Sequence, residues 1–477
     1  MKITTKKTGQ EELTITPLTE GFAKSKLNKK AQEALAKRPD FKGKQGQKIL
    51  IQGEPGELLI GAGKGEPDDV RKMAGNAATH ARDGRYKQYA LDLTGVGHEQ
   101  AAVEGSLLGL YTYREYKKPK KDDAKDPDSM TIISADEKEA KKAIKTGRAT
   151  AEGVALARDL VNRPASDKTP KQLADLARQL GRKHGLTVKV LGKKELEKER
   201  MGAMLGVSRG SDKEPQLVIL ELNKDRKEKP FALAGKGVTF DAGGLQVKPG
   251  KYMEEMKLDM GGAATVLATM VTLAKLGHKG RVVGAMGLVE NMLGPDAYKP
   301  GDILKSRNGK TIELQHTDAE GRLVLADTLD YIQDKYKPGK IVDLATLTGA
   351  VTVALGYRVT GLLGNDENLI SDVKAAADAT DDLVWELPLW NHYRRLMDND
   401  NADVGNRGEN PGPFPGPGTI TAAAFLEHFI KGGVAWAHLD IAGSAFSYEN
   451  TEYVSKGGTG WGVRLLTHML TNKNKRR

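Results

Sequence analysis

The sequence predicts an α/β protein of two domains: a smaller N-terminal α/β domain and a larger C-terminal domain with a central mixed, mostly parallel sheet flanked by helices. Three observations predict this fold. The chain has 477 residues, enough for two or three domains with a large core. Apolar strand-like runs alternate with amphipathic helical patterns, which is typical of a parallel sheet covered by helices. A long helical pattern stops at Arg163-Pro164 and is a candidate connector, so we expect domains at 1–150 and 151–477.

The N-terminal domain is predicted to alternate strands and helices. Its strand-like segments are QKILIQG and GELLIGAG at 47–63, then YALDLTG and MTIISA. Its helical segments are VRKMAGNAATHARDG and AAVEGSLLGLYTYREY, the second of which ends at Tyr116. Closely spaced glycines occur in GAGKGEPDD, but this segment lacks the full dinucleotide fingerprint and the Lys-Ser/Thr pair of a phosphate loop. We expect it to be a turn.

The C-terminal domain follows the connector helix, which is predicted over 136–162. Helices are predicted by TPKQLADLARQLGRKHG, GAATVLATMVTLAKLG and GRLVLADTLDYIQDKY. Strands are predicted by TVKVLG, QLVILELN, FALAGKGVTF, RVVGAMGLVEN, IVDLATLTG and AWAHLDIAG. Charged and glycine-rich segments follow several of these strands, which is where open α/β sheets place their sites.

Composition excludes several classes of site. Cysteine is absent, so disulfides and thiolate ligands are excluded and any metal must be bound by oxygen or nitrogen atoms. The nine histidines form no H-E-x-x-H motif, which excludes a zincin. No apolar run approaches 18 residues, so no membrane span is predicted. The opening residues MKITTKKTGQEEL lack the apolar stretch of a signal peptide, and we expect a cytoplasmic protein.

The net charge is +11, and more than half of the excess lies before residue 150. A basic balance raises nucleic-acid binding as a hypothesis. Two lysine clusters could contact phosphates: Lys24, Lys26, Lys29 and Lys30, and Lys117, Lys118, Lys120 and Lys121. Such runs are more often solvated surface, and Asp122 and Asp123 directly follow the second cluster.

Charged side chains concentrate in two glycine-rich segments, AGKGVTFDAGGLQVKPGKYMEEMKLDMGG at 234–262 and HTDAEGRL at 316–323. They supply four carboxylates, Asp241, Asp259, Asp318 and Glu320, and three basic side chains, Lys236, Lys248 and Arg322. Taken singly, acidic residues among glycines usually lie in solvated turns. Here FALAGKGVTF has the length and apolarity of a buried strand, and residues 318 and 320 share one face if the segment is extended.

Four carboxylates gathered in a core repel one another unless positive charge lies between them, and hard divalent ions are the usual solution. Two such ions would neutralise the four negative charges. Two metals roughly 3.5–4 Å apart are a known hydrolytic arrangement that activates water and polarises a carbonyl. Lys248 and Arg322 would then remain to stabilise charge that develops in the transition state.

The motifs GKGVTFDAGG, MKLDMGGAA and TDAEGRL resemble those of the leucine aminopeptidase (cytosol aminopeptidase) family of dinuclear metallo-exopeptidases. Further segments resemble the family in family order, namely ARDLVNRPASDKTP, VVGAMGLVENMLG, DLATLTGA and WAHLDIAG. The resemblance covers about residues 150–470. It implies a catalytic C-terminal domain that removes N-terminal residues, preferably Leu, Met and similar apolar ones, from peptides by two-metal-activated attack of water. It also implies a homohexamer.

The resemblance assigns a role to each charged residue. Asp241 and Glu320 would bridge two metal ions, with Mn or Zn expected. Lys236 and Asp259 would complete the tighter metal site, and Asp318 the more exchangeable one. Lys248 would stabilise the oxyanion, and Arg322 would hold a bicarbonate that carries protons; the alternative for Arg322 is a salt bridge that orients the carboxylates.

Ligation by Lys236 requires a neutral amine. The reference pKa of lysine is about 10.4, so neutrality at pH 7 requires the pKa to fall by more than about three, at a cost of roughly 4–5 kcal/mol. A neighbouring dication and burial both act in that direction. The alternative is an ordinary salt-bridging lysine.

The resemblance also implies a pocket for the first side chain of the substrate, formed by Met253, Thr346, Gly349, Ala442 and Ala445. A methionine among small residues suits medium to large apolar side chains, although Met253 could equally belong to the core. Ala445 is small where some relatives carry methionine. His316 stands where the family usually has asparagine, and we expect it to lie near Asp318.

Two other functions stay open at this stage. A dinuclear phosphoesterase would use similar carboxylates, but such sites usually add His and Asn ligands that are not found at motif spacing. A DNA-binding structural or regulatory role through the basic N-terminal domain is the alternative that requires no enzyme, and it could coexist with catalysis.

Overall fold

The computed structural model describes residues 1–7, 11–118, 120, 122–408 and 416–472. The chain forms two compact units, Met1–Ala155 with Tyr448–Lys456, and Leu156–Ser447 with Gly457–Arg477. The division falls inside the predicted connector helix, and no sequence pattern predicted that the segment 448–456 belongs to the first unit. The predicted α/β class, with a smaller N-terminal domain and a larger domain built on a mixed sheet, is confirmed.

The first unit contains a sheet with the strand order β1-β6-β5-β2-β4-β3 among the described residues. Its strands are β1 (Lys2–Lys6), β2 (Leu13–Leu18), β3 (Lys48–Ile51), β4 (Gly56–Gly61), β5 (Gln88–Asp92) and β6 (Ser129–Ile133). All pairings are parallel except β3 with β4, which is the predicted strand pair at 47–63. Strands β1 and β2 were not predicted.

The helices of this unit are α1 (Lys29–Ala36), α2 (Pro67–Asp83), α3 (Glu99–Gly109) and α4 (Glu137–Asn162), the last of which continues past the division at 155. Helix α3 is present where it was predicted, but it ends at Gly109, seven residues before the predicted end at Tyr116. The predicted end was therefore wrong. The chain continues there as YTYREY, in which aromatic and β-branched side chains lose rotamer freedom in a helix. The lysines of the first basic cluster, Lys24, Lys26, Lys29 and Lys30, are exposed, as are Lys117, Lys118 and Lys120 of the second; Lys121 lies outside the described residues.

The second unit is built on a larger sheet with the strand order β15-β14-β17-β13-β9-β10-β8-β7. The central strands β17, β13, β9 and β10 are parallel, while β14, β8 and β7 join the sheet by antiparallel pairing. The strands are β7 (Thr187–Leu191), β8 (Gln216–Leu222), β9 (Phe231–Asp241), β10 (Val282–Asn291), β13 (Lys340–Ala345), β14 (Thr360–Gly364), β15 (Val384–Glu386) and β17 (Ala435–Asp440).

Two small sheets accompany it. One joins β11 (Ile303–Lys305), β12 (Thr311–Glu313) and β16 (Val404–Gly405), and the other joins β18 (Phe446–Ser447) and β19 (Gly457–Gly458). The helices of this unit are α5 (Pro170–His184), α6 (Lys193–Lys198), α7 (Gly202–Ser208), α8 (Gly250–Met253), α9 (Gly261–Leu276), α10 (Gly321–Tyr336), α11 (Gly349–Leu355), α12 (Glu367–Thr380), α13 (Asn391–Arg395), α14 (Gly418–Glu427) and α15 (Val463–Thr471). Within the described residues, no helix is long and apolar enough to cross a membrane.

The central strands bring distant residues to one edge of the sheet. Strand β9 is buried along nearly its whole length, as expected of a parallel strand covered on both faces. Its last residue, Asp241, pairs with Asn291 at the end of β10. Likewise Ala345 at the end of β13 pairs with Asp440 at the end of β17. The carboxyl ends of four strands therefore meet where the sequence predicted a site.

Candidate active site

The first motif places two charged residues on β9 itself. Lys236 lies inside the strand, level with the end of β13, because its neighbour Gly235 pairs with Leu344. Asp241 ends the strand, and the chain then turns through Gly243 and Gly244, which have φ angles of +91° and +64°. Glycine adopts these angles without the strain that a side chain would cause. The turn leads to Lys248, which thereby returns to Asp241.

Asp259 follows the short turn Met256–Leu258 and lies two residues before α9 begins at Gly261. A Cβ atom added at Gly262, in the first turn of α9, would lie 2.1 Å from the carbonyl oxygen of Leu344. Helix and sheet can therefore approach this closely only with glycine at 262. Close packing of this kind holds Asp259 against the end of β13.

The second motif supplies Asp318 and Glu320, and Glu320 is the residue directly before α10. A Cβ atom added at Gly321 would lie 2.4 Å from Cε of Lys236. The lysine stem thus crosses the start of α10, where any larger residue would collide with it. Both motifs are therefore joined through Lys236 and Gly321.

Each lysine contacts two carboxylates. The Lys236 Nζ atom lies 2.8 Å from Asp259 Oδ1 and 2.7 Å from Glu320 Oε1. It also donates a 2.8 Å hydrogen bond to the carbonyl oxygen of Thr346. The Lys248 Nζ atom lies 2.8 Å from Asp241 Oδ2 and 2.5 Å from Asp318 Oδ1. All seven predicted charged residues except Arg322 are thus linked by ion pairs in two sets.

Three of the acids can share one metal ion. Asp241, Asp259 and Glu320 are buried, and each offers a carboxylate oxygen within 4.8 Å of the others. Asp318 lies outside this group of three and is a quarter exposed. The Oδ2 atom of Asp259 is buried and has no hydrogen-bond partner among the described residues. Clustered carboxylate oxygens with an unused acceptor fit hard divalent cations such as Mn or Mg, and Zn accepts them as well.

The acids of the cluster differ in the direction in which their pKa values are shifted. Burial raises the pKa of Asp241 to about 7, with a contribution from the charge of Glu320. Burial also raises the pKa of Asp259 well above its usual value, against the attraction of Lys236. Glu320 is buried too, but Lys236 and Lys248 outweigh burial and lower its pKa. Burial therefore disfavours the charged forms of Asp241 and Asp259, and a bound dication would lower both pKa values again.

The lysines show the opposite balance. Burial lowers the pKa of Lys236, but Asp259 and Glu320 outweigh it and raise the pKa overall. The pKa of Lys248 is raised in the same way by Asp241 and Glu320. This is the ion-paired arrangement of the salt-bridge alternative for Lys236. Its ligation of a metal requires the added dication to reverse that direction, and so this role stays a prediction.

Arg322 is the second residue of α10 and is 7% exposed. Its Nη1 atom donates to the carbonyl oxygen of Asn406 at 2.8 Å, and its Nε atom has no partner within the described ranges. Burial lowers its pKa to about 10, against the charges of Glu320 and Asp440. The guanidinium therefore has a buried donor available for an anion.

Sequence reasoning missed residues that brace the carboxylates. Asn291 is fully buried and donates to Asp241 Oδ1 at 2.8 Å and to the Thr317 carbonyl at 3.1 Å. The Tyr298 hydroxyl donates to the same carbonyl at 2.6 Å. Asn291 could have been found, because it ends the predicted strand RVVGAMGLVEN beside the strand that ends in Asp241. Tyr298 lies in the loop between β10 and β11 and carries no comparable signal.

The predicted pocket residues are brought together in part. A Cβ atom added at Gly261 would lie 3.4 Å from both Thr346 Cγ2 and Ala445 Cβ, so these two residues face the same glycine. Gly349 begins α11 with open space around it. Met253 ends α8 and is partly exposed rather than part of the buried core. The hydroxyl of Thr346 also donates to Asp259 Oδ1 at 2.7 Å, which joins the pocket to the carboxylate cluster.

Asp440 was also missed, and it connects the loops that carry Thr346 and Ala442, two of the predicted pocket residues. It is fully buried, and its Oδ1 atom accepts from the main-chain N–H groups of Leu347 at 3.1 Å and Ala442 at 3.2 Å. Its Oδ2 atom accepts from the Thr348 hydroxyl at 2.5 Å. One carboxylate thus fixes the loop after β13 against the loop after β17.

His316 lies beside Asp318, as predicted. Its Nδ1 atom accepts a hydrogen bond from the Asp318 main-chain N–H at 3.1 Å. Burial lowers its pKa, and the charges of Arg407 and Lys248 add to this effect. The imidazole thus supports the loop through its main chain.

Comparison with known protein families gives two matches along the chain. The description "Cytosol aminopeptidase family, catalytic domain" matches residues 155–467, and "Cytosol aminopeptidase family, N-terminal domain" matches residues 12–120. The catalytic match includes every site residue described above.

Individual proteins give the same picture. A probable cytosol aminopeptidase of a Geobacter species is 42% identical over 454 residues, covering 92% of this chain and 91% of the relative. One from Agrobacterium fabrum is 43% identical over 435 residues, covering 88% and 86%. Among solved structures, the bottromycin maturation enzyme BotP in complex with Mn has a TM-score of 0.86 and 34% identity, covering 96% of this chain and 99% of that one. A mutant of tomato leucine aminopeptidase has a TM-score of 0.87 and 31% identity, covering 99% and 96%.

Proposed function

This chain belongs to the cytosol aminopeptidase family and is an aminopeptidase, a hydrolase, and we propose that it releases Leu, Met and similar apolar residues from peptide N-termini with two divalent metal ions. One observation carries the proposal. Asp241, Asp259 and Glu320 form a buried carboxylate cluster at the carboxyl edge of the sheet. The matched descriptions and the relatives named above give the DNA-binding alternative no support.

The residues that would hold the metals are Lys236, Asp241, Asp259, Asp318 and Glu320. The unpartnered Oδ2 atom of Asp259 and the oxygen-rich donor set fit hard or borderline dications. Mn is favoured because the similar BotP structure is a complex with Mn, and Zn is the second choice. When bound, the two ions would activate a water molecule and polarise the scissile carbonyl.

Lys248 would stabilise the oxyanion that develops on the attacked carbonyl. Two of its ammonium hydrogens point at Asp241 and Asp318, and the side chain stays 14% exposed, so it can donate to the substrate from the open side. Its raised pKa keeps it charged at neutral pH. Removing one donor to a developing oxyanion typically costs about 10²–10³ in kcat.

Arg322 would bind bicarbonate, which would carry the proton between the water and the leaving amine. The support is its buried and unpartnered Nε donor. A planar guanidinium matches the oxygen atoms of a carbonate-type anion in a fork. In this arrangement the arginine holds the proton carrier and does not itself transfer the proton.

The pocket for the first side chain would be formed by Met253, Thr346, Gly349, Ala442 and Ala445. Small residues at 442 and 445 leave room for a side chain of the size of Leu or Met, and Met253 is flexible enough to pack against either. We assign this catalytic domain to 151–477 and the N-terminal domain to 1–150.

We also propose a cytoplasmic homohexamer. Three large apolar side chains of the second unit are exposed: Val353 in α11 at 89%, Trp385 in β15 at 64% and Trp390, directly before α13, at 61%. Exposed large apolar groups are typical of an interface between proteins. Sedimentation should give six times the protomer mass of 51.6 kDa, and Val353→Glu with Trp385→Glu should lower it.

The decisive test is hydrolysis of leucine amide by Mn-loaded protein. The wild type should release leucine, Asp318→Ala should be almost inactive, and Asp302→Ala, outside the cluster, should match the wild type. Equal activity of wild type and Asp318→Ala would contradict the proposed site. Hydrolysis of a phosphate ester instead of the amide would favour the phosphoesterase alternative.

A further inference from the structure

Asn406 lies outside both sequence motifs, directly after β16 in the small sheet with β11 and β12. Its side chain is fully buried. Strand β16 pairs in parallel with β12, with Gly405 opposite Glu313, and the Asn406 N–H donates to the Glu313 carbonyl at 3.0 Å. Backbone pairing therefore fixes where the Asn406 amide points.

The side-chain amide holds the loop that carries Asp318. Its Oδ1 atom accepts from the main-chain N–H groups of Gln315 at 2.8 Å and His316 at 3.1 Å. Its Nδ2 atom donates to the carbonyls of His316 at 2.7 Å and Ala319 at 3.4 Å. The amide thus uses two acceptor and two donor positions, on both sides of Asp318 in the sequence.

The main chain of the same residue holds Arg322, whose Nη1 atom donates to the Asn406 carbonyl at 2.8 Å. The opposite side of the loop is held separately, because Thr317 Oγ1 donates to the Gly243 carbonyl at 2.7 Å. Asn406, which follows a strand of the small three-stranded sheet, therefore sets the distance between the loop with Asp318 and the guanidinium of Arg322.

We propose that Asn406 is a positioning residue that holds Asp318 in place for the more exchangeable metal ion and aligns it with Arg322. This inference rests on the proposed function. A partner that orients a metal-binding residue typically changes metal affinity by about 10–100-fold when it is removed. A merely structural residue would change stability without changing metal affinity or kcat selectively.

The test compares Asn406→Asp and Asn406→Ala with the wild type, using Mn²⁺ as the probe. Asn406→Asp keeps the shape and the acceptors but removes both donors. Binding of Mn²⁺ to the weaker site, measured by the loss of the free-ion electron spin resonance signal, should weaken by about 10–100-fold. With leucine amide, kcat should fall at saturating Mn²⁺ while KM changes less than twofold.

Asn399→Ala is the matched control. Asn399 lies in the same segment, and its Oδ1 atom orders the turn by accepting from the Asn401 and Ala402 N–H groups at 2.9 Å each. The Asn399→Ala variant should lose thermal stability but keep wild-type Mn²⁺ affinity and kcat. Wild-type Mn²⁺ affinity and kcat in folded Asn406→Asp would overturn the proposal, as would loss of the fold in both Asn406 variants. If the wild type itself binds no Mn²⁺ or leaves leucine amide intact, the proposed function fails instead.

Discussion

Helix α10 contributes acidic residues to two clusters of charged side chains, and only one of the clusters contains a buried oxygen atom without a described hydrogen-bond partner. At its start, Glu320 belongs to the buried site cluster with Lys236. Further along, Asp330 and Asp334 surround Arg307, which lies 2.5 Å from Asp330 Oδ2 and 2.7 Å from Asp334 Oδ2. Glu199 completes this second group, which we call the Arg307 cluster, at 2.8 Å.

The Arg307 cluster is satisfied by its own residues. Asp334 and Glu199 are 45% and 24% exposed, and water therefore shares their charge. The hydrogen bond from Arg307 lowers the pKa of Asp334. In the site cluster, by contrast, burial raises the pKa of Asp241 and Asp259, and one oxygen of Asp259 has no described partner. The two clusters contain similar numbers of charged side chains. What distinguishes a candidate active site from a stabilising network is therefore burial together with acceptor atoms that have no partner.

The largest expected effect separates equivalent acids in the two clusters. Asp259→Asn should lower kcat/KM for leucine amide by at least about 10²–10³-fold, because it removes a charge that the metal pair and the lysine require. Asp334→Asn should stay within twofold of the wild type. Steady-state kinetics with saturating Mn²⁺ tests both, and comparable losses would show that the distinction between the clusters is wrong.

A second comparison uses the lysines. Lys248→Met should lower kcat by about 10²-fold with a small change in KM, because the donor acts on charge that develops in the transition state. Lys335 lies beside the Arg307 cluster, with its Nζ atom 3.1 Å from Glu199 Oε1, and Lys335→Met should leave both constants unchanged. A rise in KM alone for Lys248→Met would instead assign this lysine to substrate binding.

The reverse experiment removes Arg307, the centre of the Arg307 cluster. Arg307→Ala should lower the free energy of unfolding by about 1–3 kcal/mol, because three carboxylates lose their shared partner. Urea unfolding measures this loss, and Mn²⁺ binding and kcat should stay at wild-type values. Loss of Mn²⁺ binding in the folded variant would mean that the clusters are coupled through α10.

The smallest effect concerns Asp327, which accepts from the Arg307 N–H at 2.7 Å yet is fully buried. Burial raises its pKa to about 7, so between about pH 4 and 7 the folded state binds a proton that the unfolded state has lost. Stability should therefore fall as pH rises through this window. Asp327→Asn should flatten that slope in urea unfolding measured at several pH values. An unchanged slope would show that this carboxyl is ionised in the folded protein.

The sequence predicted the charged residues of the site because they sit in short glycine-rich motifs that follow apolar strands. Lys236 and Asp241 were singled out because FALAGKGVTF has the length and apolarity of a buried strand and because the motifs resemble those of the family. Asn406 and Asp440 were not, because β16 and β17 bring them to the site by pairing with strands far away in sequence. Tyr298 was not, because it reaches the site from a loop. Such contacts depend on the tertiary fold and produce no recognisable pattern in the neighbouring sequence.

The same reason explains the elements that were missed. Strand β1 reads KITTK and contains a single apolar residue, so it lacks the alternation that marks a strand. Strand β2 does alternate Leu13 and Ile15 with threonines, but Pro17 argues against a strand inside a sheet. Their place in the sheet comes from pairing with β6, β4 and β5. By contrast, α5 was predicted nearly to the residue, since Thr169 caps it through Gln172 and Pro170 begins it.

The meeting of Asp241, Asn291, Ala345 and Asp440 at one edge has a consequence for how the enzyme matures. A ribosome must release some two hundred residues after Lys236 before β17 can take its place beside β13. Until then Asp440 is missing from the edge, and the loop after β13 lacks the carboxylate that fixes it. The edge is therefore completed late in the synthesis of each chain.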